Sequence, residues 1–445
     1  MRACIHRGAA EVGGNCLELE HEGDRIVLDV GRPLWAGHDD VVPLPEISGL
    51  ATGDDPHLLG VILSHGHQDH WGLMPQVHPD VPRFIGKAAA DILRAAQFWS
   101  TGIDLHETGH LHHREPFTVG RFTITPYLND HSAFDAYSLL VEAGGERLFY
   151  TGDFRGHGRK AALFEELLAD PPGGVDVLVC EGTSLRPDDS TVPAEPMRTE
   201  AQVEEDMAQT FRDTDGLAVV LASPQNIDRL VTTYRACLRA GRDLVVDLYG
   251  ADIAAAAGRD TIPRPSPDWP RVHVYVPQRQ RVRVKSSGEF HRVAAAKAQR
   301  IYAEDLAAEP SRYVLFGAYQ SEIRRLLAPV GPHVGAVVWS LWDGYLTEPS
   351  GVTLRQLLEV AGVPFVHHHT SGHASADDLL RLASAMDPRQ IVPIHTDAPE
   401  LLVSSTRTCA KRCADRAWWS VHQGGLSAPP GSTPAEGNDP ANALA

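Results

Sequence analysis

The segment Ser64–His70 reads Ser-His-Gly-His-Gln-Asp-His and constrains this chain more than any other. It sets four metal-ligand side chains, His65, His67, Asp69 and His70, directly after the apolar run Gly60-Val-Ile-Leu. A buried strand ending in a loop crowded with imidazole and carboxylate points to a metal centre, because these are groups that Zn²⁺ takes in catalytic sites. Four such groups so close in sequence do not converge readily on one tetrahedral ion. The spacing therefore predicts two adjacent metals, and a metal pair can activate a hydroxide and clamp both the attacking and leaving oxygens of a hydrolysed ester. A merely solvated His-rich loop would not account for the partners found downstream.

A chain of 445 residues exceeds one ordinary core, so two domains are expected. Hydrophobic content of 43% and charged content of 22% describe a soluble globular protein. No apolar run approaches the ~20 residues of a membrane helix, and the first residues, Met-Arg-Ala-Cys-Ile-His-Arg-Gly, lack a signal-peptide apolar region. The six cysteines are scattered without a CxxC pair. That argues against a disulfide framework or a cysteine zinc site and fits a reducing cytoplasm. Cys180, in an apolar strand, reads as a small core residue. The net charge of −18 counts against a nucleic-acid enzyme, which ordinarily shows a basic footprint, although a local basic face can coexist with an acidic whole. His106, His110, His112 and His113 read as loop residues rather than ligands.

Residues 1–185 read as short strands with a few helices. Ile26–Val30, Val61–Ser64, Phe122–Pro126, Tyr137–Val141, Arg147–Thr151 and Val175–Cys180 are strand-like, and Lys87–Trp99 and Lys160–Ala169 are helical. Arg186–Pro196, rich in Pro, Asp and Ser, reads as a linker. Thr199-x-x-Gln202 is a capping box opening a helix to about Thr214. Strands (Leu217–Ala222, Asp243–Tyr249, Val272–Val276, Tyr313–Phe316, Gly335–Ser340) then alternate with helices such as Asn226–Ala240, which predicts a parallel sheet with covering helices. No nucleotide-binding glycine motif accompanies it. Arg279-Gln-Arg281-Val-Arg283-Val-Lys285 alternates as a strand with four cations on one face. Such a stripe could track a phosphate backbone or simply face solvent. Trp339, Trp342 and Tyr345 could stack bases, but buried packing is the expected role. His367 and His368 read as structural. From Pro364 the chain turns strand-like, then carries a His-rich turn, a helix (Ser375–Met386) and a strand into His395. The tail, 426–445, reads as disordered.

Six further residues stand in telling contexts. Asp29 ends Arg-Ile-Val-Leu-Asp, His131 lies in Asn-Asp-His-Ser, and Asp153 in Tyr-Thr-Gly-Asp-Phe-Arg. Glu181 lies in Cys-Glu-Gly-Thr-Ser, His373 in His-Thr-Ser-Gly-His-Ala, and His395 ends Ile391-Val-Pro-Ile. Singly, each has a plain reading as a turn, cap or loop residue. In order, over about residues 1–425, they resemble metallo-β-lactamase-fold hydrolases of the β-CASP branch, the group containing ribonuclease J and the eukaryotic pre-mRNA 3′-end endonuclease.

The resemblance implies an α/β protein: an αββα metallo-β-lactamase sandwich from residues 1–185 and 366–425, with an α/β β-CASP cap domain, 186–365, inserted. It implies two Zn²⁺, with Mn²⁺ or Mg²⁺ as substitutes. His65, His67 and His131 would hold one ion, Asp69, His70 and His395 the other, and Asp153 would bridge. Asp29 would orient ligands. Asp69 would also be catalytic. His373 would act as general acid, oriented by Glu181. Ser371, Gly372 and His373 would bind a substrate phosphate at a helix start. His67 occupies a position where redox di-iron relatives carry Glu, which favours zinc and hydrolysis. His395 stands where RNA-acting members carry His and DNA-acting members tend to carry Val. The implied function is a ribonuclease hydrolysing single-stranded RNA through a metal-activated hydroxide, with no membrane partner. Endo- versus exonuclease action and a homodimer are left open. The alternatives are a DNA nuclease, a di-zinc hydrolase of a small ester, thioester or lactone, and a nucleic-acid-processing scaffold with structural metals. Two departures are noted: Trp71-Gly72-Leu73 where many relatives have a Gly pair, and Thr396-Asp397 where ribonuclease J has Gly-Glu.

Overall fold

The computed structural model describes residues 1–37, 39–186, 197–317, 320–328, 332–405 and 409–421. Except for Arg186, the expected linker lies outside these residues, as does the expected tail.

The chain lays down three seven-stranded sheets. The first takes β1 (Arg2–Arg7), β2 (Cys16–His21), β3 (Asp24–Leu28), β4 (Leu58–Ile62), β5 (Arg83–Gly86) and β6 (Gly109–Leu111). The second takes β7 (Phe117–Val119), β8 (Phe122–Leu128), β9 (Tyr137–Ala143), β10 (Glu146–Tyr150) and β11 (Val177–Glu181). The third is all parallel: β12 (Leu217–Leu221), β13 (Asp243–Val246), β14 (Val272–Tyr275), β15 (Arg300–Ile301), β16 (Tyr313–Phe316), β17 (Val334–Trp339) and β18 (Phe365–His367). The chain then returns. β19 (Gln390–Ile394) pairs in parallel with β11, β20 (Cys409–Ala410) extends that edge, and β21 (Trp418–Ser420) pairs with β1.

Alternation along the strands generates the layers. Ile26 and Leu28 of β3, Leu139 and Val141 of β9, and Val177 and Val179 of β11 pack together between the first two sheets. Val27 faces outward onto Trp71, Ala89 and Leu93, which lie on helices α1 (Gln68–Trp71) and α2 (Lys87–Trp99). On the far side, Leu140, Leu178 and Cys180 face Phe164 and Leu167 of α3 (Ala161–Ala169) and Leu379, Leu382 and Met386 of the helix Ala376–Met386. The result is the expected αββα sandwich. Strands β12 and β13, buried on both faces, read as continuous apolar runs. Helices α4 (Glu200–Asp213), α5 (Ile227–Ala240) and α6 (Leu248–Ala256) lie in one apolar cluster with Ala218 and Val220 of β12. Ile92, Ala96 and Trp99 of α2 join that cluster, so the third sheet's helices dock directly on the sandwich. Among the described residues no helix is long and apolar enough to cross a membrane.

Several local expectations are corrected. Arg279–Lys285 is not a strand but lies within helix α7 (Gln278–Ser287), bounded by Pro277 and by Gly288 at φ 78°. Gln280 and Val284, one turn apart, are its buried residues. The Gln280 amide donates to Asp247 (2.8 Å) and accepts from the Leu248 N–H (2.9 Å). That helical anchoring overrides the alternation of Val282 and Val284, and the four cations spread around the helix instead of lining one face. Strand β13 stops at Val246 because Asp247 caps α6, accepting from the Gly250 N–H at 2.7 Å. His110 sits on β6 rather than in a loop. Trp339 is buried as expected, but Trp342 and Tyr345 are exposed.

Candidate metal centre

The site gathers at one end of the sandwich, where strands of both sheets run out into short loops. Strand β3 delivers Asp29, β4 leads into Ser64 and His65, and α1 carries Asp69 and His70. The loop after β8 carries His131, the loop after β10 carries Asp153, β11 ends on Glu181, and β19 leads into His395. Register pairs Glu181 with Ile394, which places these two strand ends side by side. Asp29 (φ 59°) and His395 (φ 55°) both take the left-handed conformation, at a cost on the order of 1–3 kcal/mol each that the surrounding bonds must outweigh.

Asp153 is the hub. Its Oδ2 lies 3.1 Å from His70 Nε2, 3.6 Å from His65 Nε2, 3.7 Å from His373 Nδ1, 3.8 Å from His395 Nε2 and 4.0 Å from His131 Nε2. Ligand atoms converge in two groups that share it: His65, His67, His131 and Asp153, and Asp69, His70, Asp153 and His395. A third group joins Asp153 and His395 to Glu181 and His373. His131 Nε2 and His67 Nδ1 are 3.1 Å apart, as are His395 Nε2 and Asp69 Oδ2.

The outer nitrogens explain why the rings point inward. His70 Nδ1 meets Asp29 (2.8 Å), His131 Nδ1 meets the Gly372 carbonyl (2.5 Å), His395 Nδ1 meets Thr183 Oγ1 (2.6 Å), and His65 Nδ1 meets Ser64 Oγ (3.0 Å). Holding Nδ1 from behind fixes ring orientation and leaves Nε2 facing the centre, the arrangement typical behind metal-ligating histidines. Asp29 itself accepts from the Ser64 N–H and Oγ–H and from the Tyr150 hydroxyl, each at 2.7 Å. Tyr150 and Thr183 were not among the residues singled out from sequence. Thr183 lies within the Glu-Gly-Thr motif and could have been flagged there, whereas nothing marks Tyr150.

The chemistry of the donor set fits divalent cations. Two buried atoms of the cluster, His65 Nε2 and Asp153 Oδ1, have no hydrogen-bond partner. Such atoms are costly to bury unless something completes them. Burial, reinforced by neighbouring imidazoles, keeps His65 and His131 well below their ordinary range, and burial takes His67 down to about 4. Their nitrogen lone pairs are therefore free near neutral pH. Burial opposes the charge of Asp69 and Asp153, but surrounding histidines, His395 and His70 among them, outweigh it and hold both carboxyls low. Metal binding needs these protonation states.

His373 stands beside the centre, half-buried, its Nδ1 3.3 Å from Glu181 Oε2. Burial opposes its charge, but Glu181 and then Asp153 prevail and push it up to about 9. Glu181 is pinned by the backbone N–H groups of Phe154 (3.2 Å), Thr183 (3.2 Å) and Ala374 (3.3 Å). The His373 N–H donates to Ser371 Oγ (3.1 Å), and Ser375 caps the following helix by accepting from the Asp378 N–H (3.0 Å). With the His373 and Ala374 amides so engaged, an anion here would draw on those of Ser371 and Gly372. Beside His67 a cleft lined by Ala89, Ile92, Ala133, Phe134 and Gln225 opens between the sandwich and the third sheet.

Behind the centre lies a buried ion network. Arg155 donates to the Ser371 carbonyl (2.9 Å) and pairs with Asp228 (2.6 Å), Asp130 (3.4 Å) and Glu200 (3.5 Å). Arg229 pairs with Glu200 (3.0 Å) and donates to the Ser340 carbonyl (3.2 Å). Lys160 bridges Asp228 (3.0 Å) and the His131 carbonyl (3.1 Å). The network ties α4 and α5 to the loops carrying His131, Asp153 and His373.

Comparison with known proteins places this geometry. Residues 43–222 match the beta-lactamase superfamily domain, and residues 365–405 match the Zn-dependent metallo-hydrolase RNA specificity domain. The fold and site define a metal-dependent hydrolase of the metallo-β-lactamase fold. Within that class the chain is similar to the β-CASP, ribonuclease J-like kind. It is 24% identical to ribonuclease J of Mycobacterium tuberculosis (strain ATCC 25618 / H37Rv), over 89% of this chain and 68% of that protein. It is 22% identical to ribonuclease J of Sinorhizobium meliloti, over 84% of this chain and 64% of that protein. A crystal structure of a protein of unknown function from Enterococcus faecalis V583 superposes with a TM-score of 0.75 at 20% identity, covering 94% of this chain and 99% of that one. That likeness speaks to the fold alone.

Proposed function

We propose that this chain is a di-zinc phosphodiesterase that hydrolyses single-stranded RNA. The observation that carries the reading is the placement of Asp153 Oδ2 within 4.0 Å of five inward-facing imidazoles, shared between two ligand groups. In this reading His65, His67 and His131 hold one ion, Asp69, His70 and His395 hold the other, and Asp153 joins them. Such a pair supplies charge neutralisation to a phosphodiester and a nucleophile at neutral pH.

The remaining work falls to the chain's own groups. Asp29, Thr183 and the Gly372 carbonyl keep the rings oriented. His373, kept protonated by Glu181, donates its proton to the departing ribose oxygen, and the amides of Ser371 and Gly372 bind a non-bridging phosphate oxygen. RNA as substrate is supported by the ribonuclease J relatives and by the name of the domain matched at 365–405. Residues 186–365 are assigned as the inserted cap that closes over the substrate.

The test is zinc-loaded protein on matched 5′-labelled single-stranded RNA and DNA, with Asp69→Ala as control. RNA cleavage that disappears in the variant is the expected result, and the fate of the label separates exo- from endonucleolytic action. Turnover of a small ester or lactone with neither strand cleaved would overturn the assignment.

A further inference from the structure

Two aromatic rings that the metal centre does not use stand on the segment that follows β17. Trp342 is 57% exposed and Tyr345 46% exposed, unusual values for such large side chains. Their rings meet edge to face, with centroids 5.5 Å apart and planes at 85°. The indole is also seated. A Cβ added to Gly344 would fall 2.2 Å from Trp342 Cη2 and Cζ3, so the backbone of Gly344 lies against the six-membered ring and only glycine leaves room for it there. The pair is thus held on one side and open on the other.

The segment carrying the pair is fastened to the loop that delivers His373. The His368 N–H donates to the Trp339 carbonyl (3.0 Å), Ser340 Oγ donates to the His368 carbonyl, and His367 Nδ1 meets Asp343 Oδ1 at 3.1 Å. Arg229 of the buried network holds the Ser340 carbonyl in place. The pair is therefore placed beside the loop that delivers His373, whereas the cleft at Phe134 borders His67. A base presents a flat apolar face to such rings at little cost in sequence preference. A duplex keeps its bases stacked and offers no free face.

We propose that Trp342 and Tyr345 form a platform on which one unpaired nucleobase of the substrate strand stacks beside the loop that delivers His373, and that this subsite selects single-stranded over duplex RNA. The proposal rests on the ribonuclease reading above.

The experiment compares wild type, Trp342→Ala and Trp342→Phe, all zinc-loaded. The substrates are one single-stranded RNA and a set of copies in which an abasic ribose replaces each nucleotide in turn. For wild type, KM rises on the order of 10-fold at one abasic position, the value of one lost stack. Trp342→Ala raises KM on intact RNA by a similar factor, with kcat falling far less, and no longer responds to that abasic position. Trp342→Phe restores most of the affinity. The platform is overturned if Trp342→Ala keeps wild-type KM, or if it stays sensitive to the same abasic position. Absence of cleavage of every RNA by the wild type would instead bring down the ribonuclease reading and the platform with it.

Discussion

Around Asp153 five imidazoles crowd one carboxylate oxygen, and buried atoms such as His65 Nε2 and Asp153 Oδ1 are left without partners. Two residues along, around Arg155, each guanidinium and each carboxylate meets an opposite charge, a hydroxyl or a carbonyl. Both clusters are buried, both are rich in charge, and they share the loops at His131 and at Ser371. The difference lies in completeness. A closed network of this kind fixes geometry, here the seating of α4 and α5 against the sandwich. An open one requires something from outside the chain to satisfy it, and its oriented nitrogens and ionised carboxylates specify a divalent cation.

The largest expected effect breaks the open cluster. Asp153→Asn removes the negative charge shared by both ligand groups, and several kcal/mol of transition-state stabilisation is at stake. At ~1.4 kcal/mol per tenfold, kcat should fall by roughly a thousandfold and bound zinc should drop in metal analysis. The thermal unfolding midpoint of the metal-free protein should stay near wild type, since the Arg155 network is untouched.

Breaking the closed cluster should do the reverse. Arg155→Met leaves the Asp130, Glu200 and Asp228 carboxylates short of a buried partner, a loss of about 3–5 kcal/mol. The unfolding midpoint should fall clearly while zinc content per folded molecule is retained. Equal zinc loss in both variants would erase the distinction between the clusters.

A smaller change sharpens the role of the His373 pair. As a general acid His373 acts while protonated, so activity is lost as pH rises through its raised pKa. Glu181→Gln removes the charge that does most to raise it, and the alkaline limb of kcat/KM should move to lower pH, with kcat down about tenfold. An unmoved limb would separate His373 from the proton transfer. The smallest effect is Thr199→Ala. Thr199 and Gln202 form a capping box at the start of α4, next to Glu200. Its loss should cost about 1 kcal/mol in thermal unfolding without altering zinc content.

The open cluster was legible in the sequence because its residues sit in short motifs at strand ends, where the His65–His70 spacing pointed to two groups and the resemblance divided the residues between them. The closed cluster was not. Arg155, Glu200, Asp228 and Arg229 look like ordinary surface charges, and only the packing of α4 and α5 onto the sandwich buries them. The strand-like alternation of Val282 and Val284 misled for a related reason: the bond from Gln280 to Asp247 that anchors α7 is a tertiary contact. Short strands and a few helices were readable from local composition, whereas their αββα order came only from the resemblance carried by the motifs. The exposure of Trp342 was not, because it depends on Gly344 lying under the ring.

Strands β11 and β19 are neighbours in one sheet, yet residues 182–389 lie between them. The consequence is one of timing. On a chain emerging from a ribosome, His65, His67, His131 and Asp153 all appear before the third sheet has been made, although the Gly372 carbonyl that orients His131 comes only after it. The other ligand group waits for His395, and the sheet that carries it cannot close until the whole inserted segment is available. A metal ion that binds early meets a growing chain, and one that binds late meets a finished protein.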